Sequence, residues 1–153
     1  MRRPLVVACA LLLALTGCTV EASTNPPTMA PDDGVATSTP VDGAVALWEL
    51  APGQNLNEST TSLAILVTRL ECNSGVTGSV NPPAVTVTDE SIIITATVSP
   101  VASGVASCQG NDQVAHQLDL PEPLGDRRLI DGACADPEAG GTVFCETDER
   151  YAP

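Results

Sequence analysis

The segment Ser91 to Ser99 alternates with the period of a strand, setting Ile92, Ile94, Ala96 and Val98 against Ile93, Thr95 and Thr97. Just upstream, Ala84 to Thr88 alternates Val85 and Val87 against threonines. Only Asp89-Glu90 separates the two, so they are expected to form a β-hairpin. Ser62 to Glu71 is a continuous apolar and β-branched run, and Val114 to Leu120 and Arg128 to Ile130 are shorter ones. Ala44 to Leu50, which contains Trp48, is expected to be the first strand.

Proline and glycine recur too often for long helices, and no repeat of fixed period appears. Short strands with turn signals about every eight to twelve residues predict a mainly β domain over residues 44–153. The expected architecture is an antiparallel β-sandwich, immunoglobulin-like or similar, near the modal size for one core. Aromatic residues are limited to Trp48, Phe144 and Tyr151, so that core has to be aliphatic.

Residues 19–43 have a different character. They are Thr, Pro, Ser, Ala, Asp and Gly with almost no bulky apolar side chain, which cannot offset the entropy of ordering. A disordered tether is expected there. Its prolines Pro26, Pro27, Pro31 and Pro40 favour extended backbone, giving a reach of about 75 Å at full polyproline extension.

Charge narrows the partners. The chain has six arginines, no lysine and nineteen acidic residues, for a formal net charge of −13 at pH 7. Such a body cannot neutralise phosphates and is repelled by anionic headgroups, so nucleic acid is excluded as an expected partner.

Ahead of the tether stand Arg2 and Arg3, an apolar run from Leu5 to Leu15, and the small residues Thr16 and Gly17 before Cys18. The apolar run falls well short of the roughly twenty residues that span a bilayer, so it reads as a signal and not as an anchor helix. Leu15-Thr16-Gly17-Cys18 resembles the lipobox of bacterial lipoproteins. That resemblance implies a signal peptide over residues 1–17, a diacylglyceryl group on the Cys18 sulfur and acylation of its amine, palmitate among the acyl groups. The mature chain would then sit on the extracytoplasmic face of the cell membrane, with residues 18–43 as lipidated cysteine and tether. A plainer reading is an ordinary secretory signal, with Cys18 left as a thiol or disulfide partner. General secretion is favoured over a twin-arginine route, because positive pairs are ordinary in such leaders.

With Cys9 lost in the leader and Cys18 lipidated, four cysteines remain: Cys72, Cys108, Cys134 and Cys145. In an oxidising compartment they are expected to pair, and three connectivities are open. The favoured one joins Cys72 to Cys108, tying a strand end to the loop before another strand. It also joins Cys134 to Cys145, closing a loop through Asp136-Pro137-Glu138 and Gly140-Gly141. A four-cysteine zinc site is the competing reading, but no Cys-x-x-Cys pair occurs.

Between Leu70 and Cys134 lie Glu71-Cys72-Asn73-Ser74-Gly75 with Gly78, Cys108-Gln109-Gly110-Asn111, the run from Leu120 to Arg127, and Asp131-Gly132. These pieces resemble small envelope lipoproteins of high-GC Gram-positive bacteria. The resemblance implies a lipid-anchored β-rich module with a disulfide, and carries no activity with it.

Candidate chemistry is sparse. His116, the single histidine, falls within an alternating strand, where a satisfied strand histidine is the favoured role. There is no Gly-x-Ser-x-Gly elbow, phosphate loop, dinucleotide fingerprint or zinc-protease motif. Asp131, Asp136 and Glu138 lie in a Gly-rich stretch that could gather around calcium, but their spacing fits no EF-hand, and a solvated acidic loop is favoured. Arg127 and Arg128 are expected to pair internally, with Asp126 or Asp131. No catalytic set, metal or cofactor is expected. The reading that follows is a non-catalytic binding module, whose partner is another envelope protein or an unidentified ligand. The alternative is an envelope hydrolase with a site assembled around His116.

Overall fold

The computed structural model describes residues 42–100 and 104–153. The leader, Cys18 and the tether up to residue 41 lie outside the described residues. The described chain forms strands β1 (Ala44–Leu50), β2 (Ser62–Arg69), β3 (Ala84–Val87), β4 (Ser91–Val98), β5 (Val114–Asp119), β6 (Arg128–Asp131) and β7 (Glu149–Tyr151). Between β6 and β7 come a 3-10 turn at Gly132–Ala135, a single helical turn at Pro137–Gly140 and a second 3-10 turn at Val143–Cys145.

Alternation decides which side of each strand is dry. In β2 and β4 every second residue is buried, from Leu63 to Arg69 and from Ile92 to Val98. The apparent continuity of the apolar run in β2 therefore conceals two faces, with Leu63, Ile65 and Val67 inward and Ala64, Leu66 and Thr68 outward. The inward residues of β1, β2 and β4 meet Val85, Val87, Leu118, Leu124 and Leu129 in one core. Burying each aliphatic side chain contributes about 1.5–3 kcal/mol, which suits a core with a single aromatic member. That member is Trp48, whose Nε1–H donates to the Ile94 carbonyl at 2.9 Å and so is not left unpaired.

Hydrogen bonding joins the strands in the order β5-β2-β1-β4-β6-β7, with β3 on β4. The hairpin of β3 and β4 forms as the alternation requires, with Val87 opposite Ile92. The strands are not all antiparallel, however. β4 and β6 run parallel, with Ile92 opposite Leu129 and Ile93 opposite Ile130, so the sheet is mixed. The long connection from β4 through β5 to β6 permits this, because parallel strands need a crossover where antiparallel neighbours need only a turn. β4 serves two arms: residues 91–94 pair with β6, and residues 96–98 pair with β1, which continues to β2 and β5.

The segment after β6 folds back as a small unit of its own. Gly132 starts it in close contact with β4, where an added Cβ would lie 2.1 Å from Thr95 Oγ1. Asp136 Oδ1 caps the helical turn by accepting from Glu138 N–H at 2.8 Å. Cys134 and Cys145 close the unit with a disulfide. Its apolar side, Ala133 and Ala139, packs on Leu47, which β1 turns away from the main core.

Candidate functional site

The most heavily supported polar contact in the fold stands behind this C-terminal unit. Asp131 is buried, and its Oδ2 accepts from Trp48 N–H at 3.1 Å and from Arg150 Nη2 at 2.9 Å. Its Oδ1 accepts from Ala133 N–H at 3.1 Å. Burial pushes the Asp131 carboxyl above the usual carboxylate range, against the opposing pull of the Trp48 and Ala133 amides and of Arg150. Arg150 also donates to three carbonyls, from Nε to Trp48 at 2.9 Å, from Nη1 to Thr147 at 2.7 Å and from Nη2 to Phe144 at 3.1 Å, and its Nη2 lies 3.6 Å from Cys134 Sγ. One guanidinium thus fastens β1, β6 and the 143–147 turn together.

The turn so fastened presents apolar side chains to solvent. Val143 is 74 % exposed and Phe144 is 58 % exposed. They stand beside the outer face of β1 and β2, where two adjoining cavities of about 290 Å³ each share Leu47, Thr68 and Phe144. The first also takes in Glu49, Leu66 and Gln113, with Gln113 Nε2 donating to Glu49 Oε2 at 3.1 Å. The second runs along Leu70 to the Cys72–Cys108 disulfide and Asn111. Together they make a groove with an apolar floor, an aromatic wall and a carboxylate at one end.

The far wall is held by Arg69, whose side chain is buried. It donates from Nε to the Thr77 carbonyl at 3.1 Å and from Nη2 to the Ser99 carbonyl, and pairs with Glu71 at 3.5 Å. Thr77 in turn donates from its hydroxyl to the Asp112 carbonyl, and its N–H donates to Asp112 Oδ1 at 2.6 Å. These bonds and the disulfide fix the loops before β3 and β5 as one piece.

The four cysteines pair as Cys72–Cys108 and Cys134–Cys145, and both bridges border the groove or carry its wall. Cys18 lies outside the described residues. His116 sits in β5 opposite Ile65, on the core-facing side with Leu118. Ser62, paired with Asp119, falls on the other face of the same two strands, so these positions do not bring a serine to His116. Asp131 is not part of a solvated acidic loop: it is enclosed and paired with Arg150, while Asp136 serves as a cap. Among the described residues, no group of three or more His, Cys, Asp or Glu side chains is placed to hold a metal ion. Arg127 and Arg128 do pair internally, but with other partners than Asp126 or Asp131. Arg127 meets Glu122 at 3.0 Å, and Arg128 meets Glu149 at 3.6 Å and Glu90 at 3.9 Å.

The Val143–Phe144 turn and the role of Arg150 were not legible in the sequence. An isolated Val-Phe between polar residues carries no periodic signal. The single hint was the Cys134–Cys145 spacing, which marks a short closed loop whose contents cannot retreat into the core. No helix among the described residues is long and apolar enough to cross a membrane. Comparison with protein-family models, curated proteins and solved structures finds no match to this chain.

Proposed function

We propose that this protein is a lipid-anchored extracytoplasmic lipoprotein of the cell envelope, and that its folded part is a non-catalytic binding module. The single observation that carries the binding reading is the Val143–Phe144 turn. Two exposed apolar side chains are held by a disulfide and by Arg150 beside an open apolar groove, at a cost in solvation that a purely structural loop does not need. The two arms that share β4 and enclose one core support a sandwich-like description of the scaffold.

The partner is an envelope protein with a basic or neutral contact surface. All four arginines of the described residues are paired to carboxylates of the same fold, so the charges left for a partner are acidic. Such a surface steers a basic partner toward it, and the steering weakens with salt.

The test uses a photoreactive side chain at Val143 in the membrane-attached protein. A discrete adduct that disappears on Phe144→Asp, and that does not form from Asp89 in the β3–β4 turn, is the expected result. A screen of ester, amide and glycosidic substrates runs in parallel. Turnover that vanishes in His116→Ala overturns the binding reading in favour of an envelope hydrolase.

A further inference from the structure

The open side of β5 adds a second feature to the same face. Beyond Ser62 and Asp119 the ladder continues, with Leu120 N–H donating to the Thr61 carbonyl at 2.9 Å. In an antiparallel pair every second residue exchanges its backbone bonds with the neighbour. Val114, His116 and Leu118 therefore direct their N–H and C=O groups to β2, while Ala115, Gln117 and Asp119 direct theirs to the open side. These same three residues are exposed and lie on the outer face, with Ala115 opposite Leu66 and Leu66 opposite Glu49. Among the described residues, no backbone hydrogen bond reaches them from that side.

The other edge strands are short or irregular. β3 is four residues long and follows Pro82-Pro83, which have no N–H to offer. β7 has three residues and meets β6 across an irregularity at Leu129 and Ile130. β5 has six residues, with no proline, no lysine and no bulge. Natural sheets protect such an edge unless it is used.

We infer that β5 is a strand-addition site for an extended basic segment of another protein, which extends the sheet antiparallel to β5. This inference rests on the reading of the outer face as a binding surface. Side chains of the incoming strand fall alternately beside Val114, His116 and Leu118 and beside Ala115, Gln117 and Asp119. The first row calls for apolar or β-branched residues. The second carries a carboxylate at Asp119, adjoins the row that ends in Glu49, and calls for lysine or arginine. In a second copy of this chain the four arginines of the described residues are already paired with carboxylates of their own fold, and its like net charge opposes the approach. Backbone bonds would give the affinity and the alternation the selectivity, as in other strand-addition sites.

The probes are synthetic octapeptides that alternate Val with Lys or Val with Glu, added to the full chain in detergent micelles. Amide hydrogen exchange at Ala115, Gln117 and Asp119 is followed by mass spectrometry. The Val–Lys peptide is expected to slow exchange at these three amides at least tenfold, and the Val–Glu peptide to leave it unchanged. Gln117→Pro removes an edge-facing N–H and leaves the backbone bonds to β2 in place, losing on that side only the Gln117 Nε2 bond to Ser62 Oγ. It should weaken Val–Lys binding at least tenfold, whereas Gln117→Thr, which loses the same side-chain bond, should not. A Val–Lys peptide N-methylated along its pairing edge keeps every charge but cannot pair. Its failure to protect β5 supports strand addition even where Gln117→Pro does not fold.

Protection of the three amides in the free chain overturns the inference, because the edge is then already occupied. Equal binding of the plain and N-methylated peptides overturns it as well. In that event a persistent adduct from position 143 retains the binding face and removes only the added strand.

Discussion

Arg150 and Asp131 meet at 2.9 Å where the Asp131 side chain has no exposed surface and the Arg150 side chain only 11 %. Removing one member of such a pair strands the other. Asp131→Ala and Arg150→Ala are each expected to cost about 3–5 kcal/mol in urea unfolding. Trp48, the single tryptophan, is buried beside the pair and reports the transition. Losses below about 1 kcal/mol would show the pair to be incidental.

The same carboxyl makes stability depend on pH with a particular sign. The Asp131 pKa is raised in the fold above its ordinary 3.8, so the folded chain binds this proton more tightly than the unfolded one. Its contribution is greatest below that ordinary value and declines as pH rises through the raised folded value. Subtracting the stability of Asp131→Asn from that of the natural protein at each pH isolates it. The difference should fall with rising pH above about 3.8 and then level off. A difference that climbs over that range refutes the assignment.

The two disulfides close chain segments of different length, with separations of 36 and 11 residues. In the loop-entropy model, opening Cys72–Cys108 costs about 4 kcal/mol and opening Cys134–Cys145 about 3 kcal/mol. Paired Cys→Ser variants and thermal unfolding measure both. Opening the second bridge should also release the 143–147 turn, seen as faster proteolysis between Ala139 and Asp148.

Phe144 and Leu47 line the same groove but differ in burial. Phe144→Ser should shift stability by no more than about 0.5 kcal/mol, because the ring is largely solvated. Leu47→Ala should cost about 2–5 kcal/mol, because Leu47 anchors the C-terminal unit. Equal losses at both sites would mean that Phe144 is a packing residue and not a contact for a partner.

Lipid attachment is expected at Cys18. The natural protein should partition into the detergent phase and take up labelled palmitate, and Cys18→Ser should do neither. Unchanged partitioning of that variant removes the lipoprotein reading.

Strand positions were largely legible because alternation reports burial directly. Ile92, Ile94, Ala96 and Val98 face inward as their spacing requires, and the two-residue turn at Asp89-Glu90 sets the β3–β4 register. What escaped was everything fixed by residues distant in sequence. The parallel partnership of β4 and β6 leaves no local trace, because either direction of β6 buries the same Leu129. Asp131 before Gly132 reads as a turn residue, and only the arrival of Arg150 and the Trp48 amide makes it a core one. Arg150 sits between Glu149 and Tyr151 with the look of a surface charge. The outer-face groove is hidden for the same reason, since its floor and its wall come from opposite ends of the domain.

The bond from Arg150 to the Trp48 carbonyl joins positions 102 residues apart. A chain that leaves a ribosome or an export channel N-terminus first presents Trp48 long before Arg150 appears. Until then β1 lacks its final clasp and Leu47 lacks its cover. The domain therefore locks from its C-terminal side. A chain that stops short of Arg150 should be open to proteases at β1.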